Sequence, residues 1–179
     1  EDYKAGSAKL DTCMELVRGA LNGGHRILLF SQFTGMLDII GKRLAKEDIA
    51  FLKLTGASSK ESRAKMVAQF QAGEVPVFLI SLKAGGVGLN LTAADVVIHY
   101  DPWWNVAAQD QATDRAHRIG QQHAVTVYKL IAKDTIEERI MQMQESKRDL
   151  VNSVLGGDGI SSALFTREDV LALLGGDGR

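Results

Sequence analysis

The sequence predicts an α/β fold, a mainly parallel sheet flanked by helices, and its length and composition suit a single globular domain with its own core. Short, fully apolar runs such as residues 27–30 alternate with segments whose apolar residues recur at helical spacing, which is typical of parallel strands joined by helices. A chain of 179 residues that is 45% hydrophobic can bury a core without a metal or disulfide. Its single cysteine, Cys13, lies among helix-periodic apolar residues and is expected to be a small buried hydrophobe.

Strands are predicted at the apolar runs, and helices where apolar residues recur every three or four positions. The predicted strands are residues 27–30, 49–54, 75–80, 96–98 and 125–128. The predicted helices carry apolar residues at Leu10, Met14, Val17 and Leu21; at Phe33, Leu37, Ile40 and Leu44; at Met66, Val67 and Phe70; at about 106–118; and at Ile136, Ile140, Met143, Leu150 and Val154.

Turn residues predict where these elements begin and end. Asn22-Gly23-Gly24 should end the first helix, and Ser58 with Glu61 should open the third as a capping box. Thr166 should cap a last short helix at 170–174. Residues 1–6 and 175–179 are expected to be ragged ends.

Composition limits the function classes. The net charge is −1, whereas a free-standing nucleic-acid binder is usually basic, so any contact with nucleic acid should come from a local patch. One cysteine excludes an intrachain disulfide and a cysteine-based zinc site, and we expect no metal bound by this chain. No apolar run approaches the ~20 residues of a membrane span, so we expect no membrane partner.

A glycine-rich segment, Ser81-Leu82-Lys83-Ala84-Gly85-Gly86-Val87-Gly88-Leu89-Asn90-Leu91, directly follows a predicted strand. Closely spaced glycines allow the backbone to approach a ligand and to point N–H groups at it. In open α/β sheets, ligands bind outside the carboxyl ends of the strands, where this segment begins. An ordinary glycine-rich turn is the alternative, because a lone glycine cluster is a weak motif.

An arginine pair lies in the segment Gln109-Asp110-Gln111-Ala112-Thr113-Asp114-Arg115-Ala116-His117-Arg118-Ile119-Gly120-Gln121. Arg115 and Arg118 are three residues apart and project from one face of a predicted helix. Adjacent guanidinium groups usually meet phosphate or carboxylate oxygens. The alternative is a solvated surface on which they pair with Asp110 and Asp114, which would stabilise the fold little.

The two segments occur together, in this order, with Leu29-Phe30-Ser31-Gln32-Phe33-Thr34, Leu54-Thr55-Gly56 and Asp101-Pro102-Trp103-Trp104-Asn105. This set resembles helicase motifs four to six, and Asp114 to Gln121 resembles the signature of the Swi/Snf-related ATPases of helicase superfamily two. The resemblance covers about Ser7 to Leu155. It implies a RecA-like three-layer lobe at 1–133, a long brace-like helix at 134–155, and a C-terminal extension with a short helix at 156–179.

The resemblance implies the second, C-terminal motor lobe of an ATP-dependent double-stranded-DNA translocase or chromatin-remodeller-like ATPase. Its catalytic residues would be Arg115 and Arg118, as arginine fingers, with Gln111 orienting them; Gly88 and Asn90 would lie beside the nucleotide. The sequence contains no Gly-x-x-x-x-Gly-Lys-Ser/Thr phosphate loop and no Asp-Glu-x-His stretch. ATP and magnesium would therefore be held mainly by a first RecA-like lobe, and the isolated chain should not hydrolyse ATP.

For double-stranded DNA, the family pattern implies contacts with backbone phosphates, which hold a strand without reading its sequence. The residues it points to are Ser31, Gln32, Gly56, Ser81, Lys83, Ala84, Gly85 and Trp104, with Arg63 as a further candidate. Trp103 stands where the family more often has a small or acidic residue, so its role stays open.

Three other functions remain as alternatives. The first is a catalytically silent interaction domain, against which the intact arginine pair argues. The second is a dinucleotide-binding enzyme, but Gly85-Gly86-Val87-Gly88 does not match G-x-G-x-x-G. The third is an RNA helicase lobe, which would lack the Ala116 to Gln121 signature. We expect an intracellular protein, nucleoid-associated in a bacterium or nuclear in a eukaryote.

Overall fold

The computed structural model describes residues 2–81, 89–101, 124–131, 137–138, 140–142 and 145, with side chains from Ala8 onward. Three helices and five strands have both of their ends within these ranges. In chain order they are α1 (Asp2–Asn22), β1 (Ile27–Ser31), α2 (Thr34–Lys46), β2 (Phe51–Leu54), α3 (Lys60–Gln71), β3 (Val77–Ser81), β4 (Val96–His99) and β5 (Thr126–Lys129).

The strands form one parallel sheet in the order β2-β3-β1-β4-β5. The central strand β1 is buried along its whole length between β3 and β4, which explains its unbroken apolar run. The predicted parallel sheet flanked by helices is confirmed. We call the side where the strands end the carboxyl edge and the side where they begin the amino edge.

Alternate side chains of the strands enter two cores. On one face Ile27, Leu29, Val77, Leu79 and Ile98 pack with buried side chains of α1 and α2. On the other face Leu28, Phe30, Phe78, Ile80 and Val97 pack with Phe70 of α3. Helices therefore cover both faces, and the polar groups that follow the strands collect at the sheet edges.

Each of the helices α1, α2 and α3 is followed by a residue with a positive φ. The amide of His25 donates to the carbonyl of Ala20, five residues back, and Gly24 has a φ of 77°, which is a Schellman ending. Helix α3 ends in the same way at Gly73, with a φ of 85°. Helix α2 uses Asp48, with a φ of 54°, where the other two helices have glycine.

Several boundaries differ from the prediction. The helix after β2 is capped by Ser59, whose side chain accepts from the Ser62 N–H. The prediction that Ser58 caps this helix was wrong, because the Ser58 Oγ instead accepts from the Thr55 N–H and closes the preceding turn. Phe33, predicted on the apolar face of α2, is the residue before the helix and is 58% exposed. Residues 2–6, predicted to be ragged, lie within α1.

Residues 137–138, 140–142 and 145 are helical, and Ile140 is buried as predicted. Glu137 accepts two hydrogen bonds from Lys9 Nζ, at 2.7 and 2.8 Å, across 128 residues of sequence. The same Nζ lies 4.9 Å from the centre of the Tyr100 ring. This contact joins the helical residues after position 136 to α1 and to the end of β4.

Cys13 is fully buried, as predicted, and burial raises the pKa of its thiol to about 12. Within the described ranges, no helix combines the length and hydropathy that a membrane crossing requires.

Candidate functional site

The carboxyl edge of the sheet brings together several residues that the sequence assigned to DNA. Ser31 ends β1 and Ser81 ends β3, and the two are register partners in the parallel ladder. Gln32 follows Ser31 directly, and Gly56 lies beyond the end of β2, the strand next to β3. Because these strands are parallel neighbours, residues that are far apart in sequence lie along one edge.

The two serines differ in their hydrogen bonding. Ser31 is fully buried, donates its hydroxyl proton to Asp101 Oδ2 at 2.5 Å, and accepts from the Phe33 N–H at 3.1 Å. Ser81 is 1% exposed, and among the described residues its Oγ has no hydrogen-bond partner. A buried hydroxyl without a partner is costly in a folded protein. Among the described residues, the two serine hydroxyls at this edge thus differ, because that of Ser31 is bonded and that of Ser81 is not.

Asp101 was not predicted as a site residue, although it lies at the centre of this edge. Its Oδ1 accepts from the Gln32 N–H at 3.0 Å, in addition to the bond from Ser31. Burial raises the pKa of Asp101, and these two hydrogen bonds partly oppose that effect. The signal available in the sequence was an acidic residue placed just after the apolar run Val96–Ile98.

The turn after β2 supplies two further DNA candidates. Gly56 is exposed, and a Cβ added there would meet no atom within 4 Å, so a ligand could approach its backbone. Arg63 is half-buried in the first turns of α3, where its Nε donates to the Ser58 carbonyl at 3.0 Å. That bond holds the Arg63 side chain beside the turn that contains Gly56.

Asn90 lies in the segment that precedes β4. Its side chain is exposed, between Leu89 and Leu91, which pack in the core on the α3 face. Ala93 donates its N–H to Gln71 Oε1, at the end of α3. The chain from Asn90 to β4 therefore runs toward the amino edge. Gly88, Lys83, Ala84, Gly85, Trp104, Gln111, Arg115 and Arg118 lie outside the described residues.

A comparison with protein-family models identifies residues 8–120 as the helicase conserved C-terminal domain. The chain belongs to this family. It is 45% identical over 168 residues to an uncharacterized ATP-dependent helicase of Mycoplasma pneumoniae, covering 93% of this chain and 16% of the relative. It is 42% identical over 169 residues to the human chromatin-remodeling ATPase INO80, covering 94% of this chain and 11% of the relative. The chain therefore spans only a small part of the length of these curated relatives.

Two solved structures support the same family assignment. The SWI2/SNF2 ATPase core of Sulfolobus solfataricus, solved in complex with double-stranded DNA, matches with a TM-score of 0.68 and 39% identity, covering 84% of this chain and 32% of that chain. The C-terminal part of the Fun30 ATPase domain matches with a TM-score of 0.72 and 39% identity, covering 75% of this chain and 44% of that chain. The resemblance drawn from the motifs is confirmed: this helicase C-terminal domain is a RecA-like lobe of a Swi/Snf-related ATPase of superfamily two.

Proposed function

We propose that this domain is the second motor lobe of an ATP-dependent translocase on double-stranded DNA. In this role it supplies arginine fingers to a nucleotide held by a first RecA-like lobe, and it supplies phosphate contacts to the DNA. The observation that supports the proposal most directly is the line of Gly56, Ser81, Ser31 and Gln32 at the carboxyl edge. The likeness to a SWI2/SNF2 core solved with double-stranded DNA points to the same ligand.

The DNA contacts use uncharged groups as well as charged ones. Hydroxyls and backbone N–H groups can hold a phosphate backbone without reading bases, and the net charge of −1 gives no general attraction to DNA. We assign these contacts to the carboxyl edge, to Arg63, to Lys83, Ala84 and Gly85, and to Trp104. Ser31 contributes through the turn that it fixes, because its own hydroxyl is donated to Asp101.

The chemistry of ATP is divided between two lobes. Magnesium-bound ATP, held mainly by the first lobe, supplies the phosphoryl group that is transferred to water. Asn90 presents an exposed amide, which fits hydrogen bonding to a nucleotide, and we assign Gly88 to the same role. Arg115 and Arg118, oriented by Gln111, stabilise the charge on the transferred oxygens, an effect worth about three to five powers of ten in rate.

The test is Arg118→Ala, and separately Arg115→Ala, in a protein that carries both lobes. We expect ATP turnover to fall by about 10³-fold or more while ATP affinity changes little, because an arginine finger acts mainly in the transition state. Lysine should rescue poorly, since it lacks the planar bidentate fork. Phosphate release at saturating DNA measures turnover, and nucleotide titration measures affinity.

Arg43→Ala is the matched control. Arg43 is a partly exposed arginine on α2 that bonds Asp11 at 3.0 Å, so its loss should cost under about 1 kcal/mol and leave turnover normal. If Arg115 and Arg118 were surface charges paired with Asp110 and Asp114, their variants would behave like this control. Normal turnover in both variants would remove the arginine-finger assignment.

A further inference from the structure

Asp101 links the end of β4 to the turn that follows β1. It is 4% exposed, and both carboxylate oxygens are bonded: Oδ2 accepts from the Ser31 hydroxyl at 2.5 Å and Oδ1 from the Gln32 N–H at 3.0 Å. Ser31 in turn accepts from the Phe33 N–H. The Asp101 side chain thus holds two consecutive backbone N–H groups, that of Gln32 directly and that of Phe33 through the Ser31 hydroxyl.

The fixed turn carries exposed groups of the candidate DNA surface. Gln32 is only partly buried, and the next residue, Phe33, precedes α2 with an extended φ of −108° and no side-chain cap. The first turn of α2 also contains no acidic side chain that would repel a phosphate. Asp101 thus bonds the backbone of Gln32 and, through Ser31, that of Phe33 at the start of α2, and both of its carboxylate oxygens are already used within the fold.

From this geometry we propose that Asp101 is a positioning residue for DNA binding: it holds the Ser31–Gln32–Phe33 turn in the orientation that contacts the phosphate backbone. This role rests on the DNA binding proposed above. It also explains how a fully buried Ser31 serves the interface, because Ser31 transmits the constraint from Asp101 to the Phe33 N–H.

The chain contains a matched carboxylate for comparison. Asp95 precedes β4 and joins it to the start of β1: its Oδ1 accepts from the Arg26 N–H at 2.9 Å, and its Oδ2 lies 2.6 Å from His25 Nδ1. Both aspartates therefore bond a backbone N–H beside β1, but Asp95 does so at the amino edge. A purely structural role for Asp101 predicts that the two carboxylates behave alike toward DNA.

The experiment compares Asp101→Asn with Asp95→Asn in the 179-residue chain, using fluorescence anisotropy with two unrelated DNA duplexes at low salt. In Asp101→Asn an amide N–H₂ donor faces the Ser31 hydroxyl, which loses its acceptor. We expect DNA affinity to fall about fivefold, the effect of one lost hydrogen bond, on both duplexes. Asp95→Asn should leave DNA affinity unchanged.

A double-mutant cycle separates positioning from stability. If Asp101 acts through the turn, Asp101→Asn should weaken binding little further in a chain that already carries Gln32→Ala. Ser31→Ala breaks the same bond from the other side with a small volume change, so it provides the same test if Asp101→Asn does not fold. Thermal melts identify the folded variants.

Each result leads to one conclusion. Equal DNA affinity of the Asp101→Asn and Asp95→Asn chains, or full additivity with Gln32→Ala, overturns the positioning role while the proposed function stands. Absence of DNA binding by the unchanged chain and also by a two-lobed protein overturns the proposed function, and this role with it. Weaker DNA binding by Asp101→Asn and Ser31→Ala but not by Asp95→Asn, together with little further weakening in the Gln32→Ala background, supports the positioning role and the proposed function.

Discussion

The two edges of the sheet use the same kind of bond in opposite surroundings. At the amino edge, Asp95 binds the Arg26 N–H and lies against His25, whose side chain is 50% exposed. At the carboxyl edge, Asp101 is buried and binds the Gln32 N–H and a neutral hydroxyl. The geometry is shared, so the difference lies in solvent and in the partner. The Asp95 carboxylate therefore has a partner that solvent reaches, whereas the Asp101 carboxylate is enclosed together with the Ser31 hydroxyl.

The pKa values of the two carboxyls reflect that difference. Burial tends to raise the pKa of Asp95, but the hydrogen bonds from His25 and from the Arg26 N–H outweigh it, and the net shift is downward. Burial dominates at Asp101, and the net shift of its pKa is upward. The folded state therefore favours the charged form at one edge and disfavours it at the other.

The largest expected difference is in stability after truncation. Asp101→Ala leaves the buried Ser31 hydroxyl and the Gln32 N–H without this acceptor, and we expect a loss of about 2–4 kcal/mol in the free energy of unfolding. Asp95→Ala should cost about 1 kcal/mol, because water can reach His25 and replace the carboxylate. Urea unfolding measures both values. Equal losses would mean that the two edges differ in position only.

A smaller effect is expected on changing the pH: the contributions of Asp95 and Asp101 to the free energy of unfolding should change in opposite directions. A lowered folded-state pKa means that the Asp95 contribution is present above the ordinary carboxyl pKa of about 4 and is lost as the pH falls through the folded value. A raised folded-state pKa means that the Asp101 contribution is present at low pH and is lost as the pH rises through its folded value.

The two asparagine variants make this measurable. Between about pH 7 and about pH 3, the stability difference between the unchanged chain and Asp95→Asn should shrink, and the difference for Asp101→Asn should grow. Urea unfolding at several pH values gives both curves. The charge of Glu137 also acts on the Asp101 carboxyl, so a Glu137→Gln background serves as the control for that charge. Parallel curves for the two variants would contradict the assignment of opposite shifts.

The smallest effect concerns the amino edge alone. Asp48 adopts a positive φ at the end of α2, a conformation that costs a side chain energy and that glycine adopts freely. Asp48→Gly should stabilise the chain by roughly 0.5–1 kcal/mol, and Gly73→Ala, at the equivalent position after α3, should destabilise it by a similar amount. Thermal melts measure the stability. Neither variant should alter DNA affinity, and a change would show that the amino edge is not separate from the site.

The fold could be predicted from sequence because its main signals are local. The apolar runs of β1, β3 and β4 are buried on both faces, so they read directly as parallel strands. The errors in helix boundaries arose where two neighbouring residues could both occupy the position at which a helix begins. Ser58 and Ser59 can both cap α3, and only the bond from Thr55 to Ser58 decides between them. Phe33 continues the spacing of α2 but lies one residue before its start.

The candidate site also contains residues that could be predicted from the sequence and one, Asp101, that could not. The positions of Ser31 and Ser81 at the carboxyl edge could be predicted because each ends an apolar strand, whereas their role toward DNA came from the family resemblance and stays a prediction. Asp101 could not be predicted, because its partners lie about seventy residues earlier in the chain, and their proximity depends on β1 pairing with β4. The roles of Arg115 and Arg118 stay predictions, since those residues lie outside the described ranges.

The strand order also has a consequence for synthesis of the chain. The central strand β1 pairs on one side with β3 and on the other with β4, whose last residue is His99. A ribosome adds roughly 5–20 residues per second, so the finished β1 waits roughly 3–14 s for its second neighbour to be made. During that interval Ile27, Leu28, Leu29 and Phe30 lack first both and then one of the strands that pair with β1. The middle of the sheet is thus completed only after both β3 and β4 have been synthesised.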